Sequence, residues 1–234
     1  MQSESELRQQ LADVCRVLFR LHLVDYMGHP SVRIPGTDRV LIKPRHSERI
    51  RAQDAIRPED MAVIDLSGKH LAGEHAPPGE RFIHTAIYRA RPDVQAIVHT
   101  HQPMATVMSI AEVPIHPVLH VEGDLVDRPV PLWPHAMLVT DDALGDQLAT
   151  ALGDHRVVLM QGHGVASAAA TLGEAALQAI HLEHLAGQLA GAGHGSPATH
   201  HPAGGAAPAR GHRCRLGGPL GLLPRAGGLR LSSL

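Results

Sequence analysis

Val98-His99-Thr100-His101 closes a short apolar run, Val94-Gln95-Ala96-Ile97, that reads as a buried strand. Side chains two apart on a strand share a face, so His99 and His101 project together and Thr100 points the other way. Two imidazoles side by side are half of a metal site. The chain holds 19 histidines, and the pair alone fits buried or surface histidines as readily, so further ligands must come from elsewhere. His163 is one candidate. It sits in the turn Gly162-His163-Gly164, straight after the apolar run Arg156-Val157-Val158-Leu159-Met160. Flanking glycines let the backbone take unusual dihedrals and approach a ligand closely, although the same turn would suit an ordinary loop histidine. His99, His101 and His163 would supply three nitrogens and leave a position open, as catalytic zinc sites do. Glu80 opens a helix after Pro77-Pro78-Gly79. A carboxylate there is favoured by the helix dipole alone, and beside a metal it would serve as a general acid/base. His84, four residues later on the same helix face, reads as a group that orients Glu80 or another side chain. Three histidines and a carboxylate suit zinc, and manganese, iron or cobalt would also bind.

These residues need elements to hold them. Ser3 with Glu6 has capping-box spacing, and Leu7, Leu11, Val14, Leu18 and Leu21 recur at helical spacing. Ser31–Ile34 and Arg39–Ile42 read as strands around the turn Pro35-Gly36-Thr37-Asp38, and Met61–Leu66 as another. Helices are expected from Glu80 to Arg89, from Pro103 to Met108 and from Leu144 to Leu152. A last long helix is capped by Thr171, with Glu174 three residues on. Residues 112–140 read as short strands and loops interrupted by Pro129, Pro131 and Pro134. Strands interleaved with helices point to an α/β sandwich and not to a helical bundle.

The net charge of −2 gives no global attraction to nucleic acid or to an anionic membrane. No apolar run has the length of a membrane-spanning helix, and the polar start, Met1 to Gln10, does not read as a signal peptide. Cys15 and Cys214 lie far apart, which fits a reducing, cytoplasmic location. Composition breaks near Gly191. Beyond it there are five arginines, no acidic residue, and Gly or Pro at 16 of 44 positions, while residues 1–190 carry a net −7. We therefore expect a catalytic domain over 1–190 and a disordered tail over 191–234.

Gly28-x-x-Ser31-x-Arg33, Pro77-Pro78-Gly79-Glu80-x-x-x-His84-x-x-x-Tyr88, His99-Thr100-His101 and Gly162-His163-Gly164 follow one another in an order and spacing that resembles the class II aldolase/adducin family over residues 7–190. The resemblance implies a three-layer α/β/α sandwich around a mostly antiparallel central sheet. It implies a homotetramer with the site near a subunit interface. It matches His99, His101 and His163 to the metal-binding histidines and Glu80 to the acid/base. Non-catalytic members such as adducin lack these histidines, and this chain keeps them all.

The departures bear on the substrate. Sugar-phosphate aldolases and epimerases of the family cradle phosphate with a Gly-Asn turn, a Ser-Gly turn and a Ser-Ser pair. Here His29 replaces the Asn, Lys43-Pro44-Arg45-His46 stands around the Ser-Gly turn, and Pro78-Gly79 replaces the Ser-Ser. The replacement is cationic, and Arg33, Lys43, Arg45 and His46 could meet a carboxylate. The turn Gly28-His29-Pro30-Ser31 resembles members that act on non-phosphorylated aromatic carboxylates, dihydroxyphthalate decarboxylases among them. The expectation is a metal-dependent carbon–carbon lyase, a decarboxylase of a hydroxylated aromatic carboxylate. Its substrate contacts would come from His29, Ser31, Arg33, Lys43, Arg45, His46 and His120. The alternatives are an aldolase on a non-phosphorylated hydroxy-keto acid, a sugar-phosphate aldolase or epimerase, and an adducin-like scaffold.

Overall fold

Strand β5 (Ala96–Thr100) is buried along its whole length, and its side chains divide between two helical layers. Ala96 and Val98 join a core built with helix α1 (Glu4–Arg20) and helix α5 (Leu172–Gly191). Ile97 points the opposite way, into a core built with helix α2 (Arg81–Ala90) and helix α4 (Asp142–Leu152). Helix α3 (Pro103–Ile110) packs with the second half of α5. The structure is a computed structural model that describes residues 2–50, 52–119 and 128–193. All of them belong to one compact unit, Met1–Ala198; the expected tail from residue 194 onward lies outside the described residues.

Seven further strands complete the described sheet. They are β1 (His29–Arg33), β2 (Arg39–Ile42), β3 (Ala62–Asp65), β4 (His70–Ala72), β6 (Leu132–Trp133), β7 (Val157–Met160) and β8 (Gly164–Ala169). The order is β4-β3-β2-β1-β5-β8-β7-β6. Every pairing is antiparallel except β6 with β7. This is the expected α/β sandwich around a mostly antiparallel sheet.

The local signals explain most boundaries. Ser3 and Glu6 form the full capping box at the start of α1. Asp141 and Thr171 accept from the backbone N–H groups of Leu144 and Glu174 and so cap α4 and α5. Strand β8 was not expected. Its sequence, Gly-Val-Ala-Ser-Ala-Ala, has little intrinsic strand preference. It is a strand because β5 and β7 pair with it on both sides and both of its faces are buried. Strand β4 is fully exposed and was also not expected.

Helix α2, which carries Glu80 at its N-cap, is held against the sheet by α4. A Cβ at Gly145 of α4 would lie 2.6 Å from the Phe82 carbonyl oxygen and 2.9 Å from Ala86 Cβ. Gly145→Ala is therefore expected to push the two helices apart and cost about 1–3 kcal/mol in chemical denaturation. An unchanged midpoint would contradict this packing.

Candidate metal centre and adjoining cavity

The antiparallel register sets His29 of β1 opposite His99 of β5, with ring centroids 4.9 Å apart. His101 follows β5 directly and turns its Nε2 to within 2.9 Å of His99 Nε2. The β7–β8 hairpin then folds His163 onto the same strand end, its ring 5.1 Å from those of both His99 and His101. This approach requires glycine at 164: a Cβ there would lie 2.1 Å from the Thr100 carbonyl oxygen. Glu80 arrives from the far side, its Oε2 3.5 Å from His163 Nε2. One ligand atom from each of Glu80, His99, His101 and His163 lies within 4.8 Å of the others.

The protein fixes which atoms are left bare. His99 Nδ1 meets the Val165 carbonyl at 2.9 Å and His163 Nδ1 meets the Met137 carbonyl at 3.1 Å. A carbonyl can only accept, so both rings carry a proton on Nδ1 and turn Nε2 inward. His163 Nε2 is buried and has no hydrogen-bond partner. Glu80 makes no cap to its own helix. Its Oε1 accepts from the Val139 N–H at 2.9 Å instead, which leaves Oε2 facing the histidines. Burial holds the His99 titration well below the usual histidine range, reinforced by His101, His29 and His163. Burial also lowers that of His101. With the His99 proton on Nδ1, the 2.9 Å contact is a hydrogen bond from His101 Nε2–H to His99 Nε2, and a divalent cation would take both nitrogens in place of that proton. The donor set thus fits a divalent metal, and the backbone carbonyls act as the outer groups that orient ligating histidines.

Below this cluster runs a buried chain of hydrogen bonds. His84 shares one through Nε2 with His29 Nδ1 at 2.7 Å and another through Nδ1 with Ser31 Oγ at 2.6 Å. Ser31 Oγ meets the Tyr88 hydroxyl at 2.9 Å. His84 therefore orients His29, not Glu80. Burial pushes His84 down to about 3 and His29 well below its ordinary value.

A cavity of ≈ 400 Å³ opens beside the cluster. His29, Lys43, Arg45, His46 and Glu80 line it, with Tyr26, Met27, Pro44, Pro78 and Leu138 supplying apolar wall. Ser31 and Arg33, expected as substrate contacts, are not among its lining residues. Ser31 is fully buried under α2. Arg33 donates to the Val94 and Tyr88 carbonyls, stacks on the Tyr88 ring and lines a different cavity against α1. Strand alternation puts Ser31 and Arg33 on the same face as His29, but farther along β1 from the site. His120 lies outside the described residues. Sequence reasoning missed the backbone groups of Val139, Met137 and Val165, whose roles carry no side-chain signal.

The family model for the Class II Aldolase and Adducin N-terminal domain matches residues 9–189. The chain belongs to the class II aldolase/adducin family. A 3,4-dihydroxyphthalate decarboxylase from Arthrobacter keyseri is 35% identical over 190 residues, covering 77% of this chain and 76% of that protein. An L-fuculose phosphate aldolase from Escherichia coli strain K12 is 30% identical over 183 residues, 78% of this chain and 81% of the relative. A solved L-fuculose 1-phosphate aldolase superposes with a TM-score of 0.74 at 27% identity, covering 85% of this chain and 91% of the other. These class II aldolase relatives are decarboxylases and aldolases, both lyases, in keeping with the expected reaction class. Among the described residues no helix is long and apolar enough to cross a membrane.

The neutral histidines make the metal-free protein acid-sensitive. His84 titrates near 6.5 when unfolded and about 3 when folded. Between those values the unfolded chain binds more protons, so stability falls as pH falls through that window. His84→Gln is expected to flatten this acid limb by up to about 1.4 kcal/mol per pH unit. Denaturation midpoints measured from pH 7 to pH 4 check it, and an unchanged slope would contradict a neutral buried His84.

Proposed function

We propose that this chain is a divalent-metal-dependent decarboxylase acting on a hydroxylated aromatic carboxylate of the 3,4-dihydroxyphthalate kind. The observation that carries this is the pairing of two features. Ring nitrogens of three histidines and the Glu80 carboxylate lie within 4.8 Å of one another, and the adjoining cavity is lined by Lys43, Arg45 and His46 where the family's sugar-phosphate enzymes have small hydroxyl and amide groups. Relatives from Arthrobacter keyseri and Rhodococcus jostii, both 3,4-dihydroxyphthalate decarboxylases, support the same reading.

In this reading His99, His101 and His163 hold the metal, zinc by the nature of the donors, and Glu80 stands beside it. The bound cation supplies Lewis acidity toward substrate oxygens. The chain's own part is as follows. The carbon–carbon bond to the departing carboxylate breaks, carbon dioxide leaves, and the ring carbon takes a proton. The Glu80 carboxylate takes a proton from solvent onto Oε2 and passes it to that carbon, while the Val139 N–H fixes Oε1 and hence the direction of delivery. His29 also lines the cavity, its ring held by the hydrogen bond to His84. Aldol cleavage of a non-phosphorylated hydroxy-keto acid needs the same charge sink and is the second reading, supported by the L-fuculose phosphate aldolase relatives.

We further infer a cytoplasmic homotetramer and a catalytic domain over residues 1–190, followed in sequence by the arginine-rich segment 191–234. The match to the family model over 9–189 supports that boundary.

Two measurements test the proposal. Saturating zinc is expected to raise the Tm of the metal-free protein, and His101→Ala to abolish the rise. Carbon dioxide release from 3,4-dihydroxyphthalate is expected to be chelator-sensitive, lost in His99→Ala, and lowered about 10²- to 10⁴-fold in Glu80→Gln. Release that survives chelation would sink the metal-dependent reading. No release from zinc-loaded protein would move the assignment to aldol cleavage.

A further inference from the structure

Lys43 is 2% exposed. Its Nζ donates to the Tyr26 carbonyl at 2.7 Å, and none of the ion pairs among the described residues involves it. A buried ammonium without a carboxylate is costly, and lysines are almost never buried unless paired. Burial pulls this one down to about 8, with Cys15 and Asp25 only partly offsetting the effect. It still carries its charge at neutral pH. An ammonium has three donors, and one carbonyl occupies one of them. Lys43 is among the residues that line the cavity shared with His29 and Glu80, next to the apolar surfaces of Tyr26, Met27, Pro44 and Leu138. Arg45 and His46 differ: both are exposed, so water screens them and they contribute little to a bound state.

The missing counter-ion must therefore come with the ligand. Which anion it is follows from the reaction. A departing carboxylate becomes neutral carbon dioxide. A cation paired with it would stabilise the ground state more than the transition state and slow the step. A cation paired with a carboxylate that stays on the ring holds its partner throughout. We propose that Lys43 is the counter-ion of the substrate carboxylate that survives the reaction, and so the residue that selects a dicarboxylate over a monocarboxylate. The proposal rests on the decarboxylase reading for which carboxylate stays, but not for the existence of the receptor. In the full step one carbon–carbon bond breaks, its electron pair remains on the ring carbon, carbon dioxide departs, and that carbon gains one proton. The second carboxylate is unchanged.

A lysine kept for a ligand leaves a signature that a structural lysine would not. Its apolar stem packs as methionine would, while its charge is unfavourable in the free protein. Lys43→Met is thus expected to raise the Tm of the free enzyme by roughly 2–6 °C while harming only dicarboxylate binding. The experiment is calorimetric titration of the full-length, zinc-loaded protein with phthalate and with benzoate, neither of which tests turnover. Wild type is expected to bind phthalate at least about 10-fold more tightly than benzoate. Lys43→Met and Lys43→Gln, the latter keeping a donor for the Tyr26 carbonyl, are expected to lose roughly 10- to 100-fold in phthalate affinity and to leave benzoate within about 3-fold. A preference retained in both variants, equal losses for both ligands, or failure of both variants to fold would overturn the proposal. Wild type that keeps a Lys43-dependent phthalate preference but releases no carbon dioxide from 3,4-dihydroxyphthalate would overturn the decarboxylase reading while supporting the receptor.

Discussion

Strand β5 lies between β1 and β8, and its antiparallel pairing with both decides where every side chain of the centre can go. Register with β1 brings His29 across to His99. Register with β8 carries the hairpin turn back over the strand end, so that His163 closes on His99 and His101. A slip of one residue in either ladder would turn the set to the opposite face. The close approach at Gly164 pins the β8 register, and the small side chains of that strand let two helices of the same layer lie against it. The candidate centre is thus a property of three strands and one helix N-terminus.

The second constraint is electrostatic. Burial is the leading cause that keeps the inner histidines neutral at His29, His84 and His99, and neighbouring charges add to it at His29 and His99. Neutral imidazoles ligate metals, whereas protonated ones repel them. The same burial would be ruinous for unpaired polar atoms, and the chain answers with fixed acceptors. Val165 and Met137 carbonyls hold the protons of His99 and His163, and the Ser31–Tyr88 pair closes the chain below His84. Hydrogen bonds on the outer nitrogens of His99 and His163 turn their Nε2 atoms inward.

Much of this was legible in the sequence because it rests on side-chain identity and short spacing. Alternation along a strand puts His99 and His101 together, and a Gly-His-Gly turn after a buried strand marks the sheet's mouth. Strand β8 was not legible, since alanine, serine and glycine become a strand only when neighbours on both sides demand it. Arg33 and Ser31 misled for a related reason. Their types suit an anion, but their positions on β1 put them beneath α2, where Arg33 packs on Tyr88 and Ser31 completes a buried chain. Residue chemistry names candidates, and distance along the strand decides which of them reach the cavity.

The charges around the cavity then narrow what it can hold. The neutral His29, His84 and His99 contribute none, the Glu80 carboxylate contributes one negative charge, and Lys43 contributes a positive charge that is almost wholly buried. With a divalent cation held by the histidines, positive charge is in excess on both sides of the cavity wall. A monoanion cannot neutralise both ends, whereas a dianion with its charges at separate carboxylates can. A sugar phosphate would place its charge on one group and present hydroxyls to a wall that includes Tyr26, Met27, Pro44 and Leu138, where the Tyr26 phenol and the Thr140 hydroxyl are the uncharged side-chain partners. A flat aromatic ring covers such surfaces without leaving polar groups unpaired. The apolar wall and the buried ammonium therefore point to the same occupant for independent reasons, one through desolvation and the other through charge.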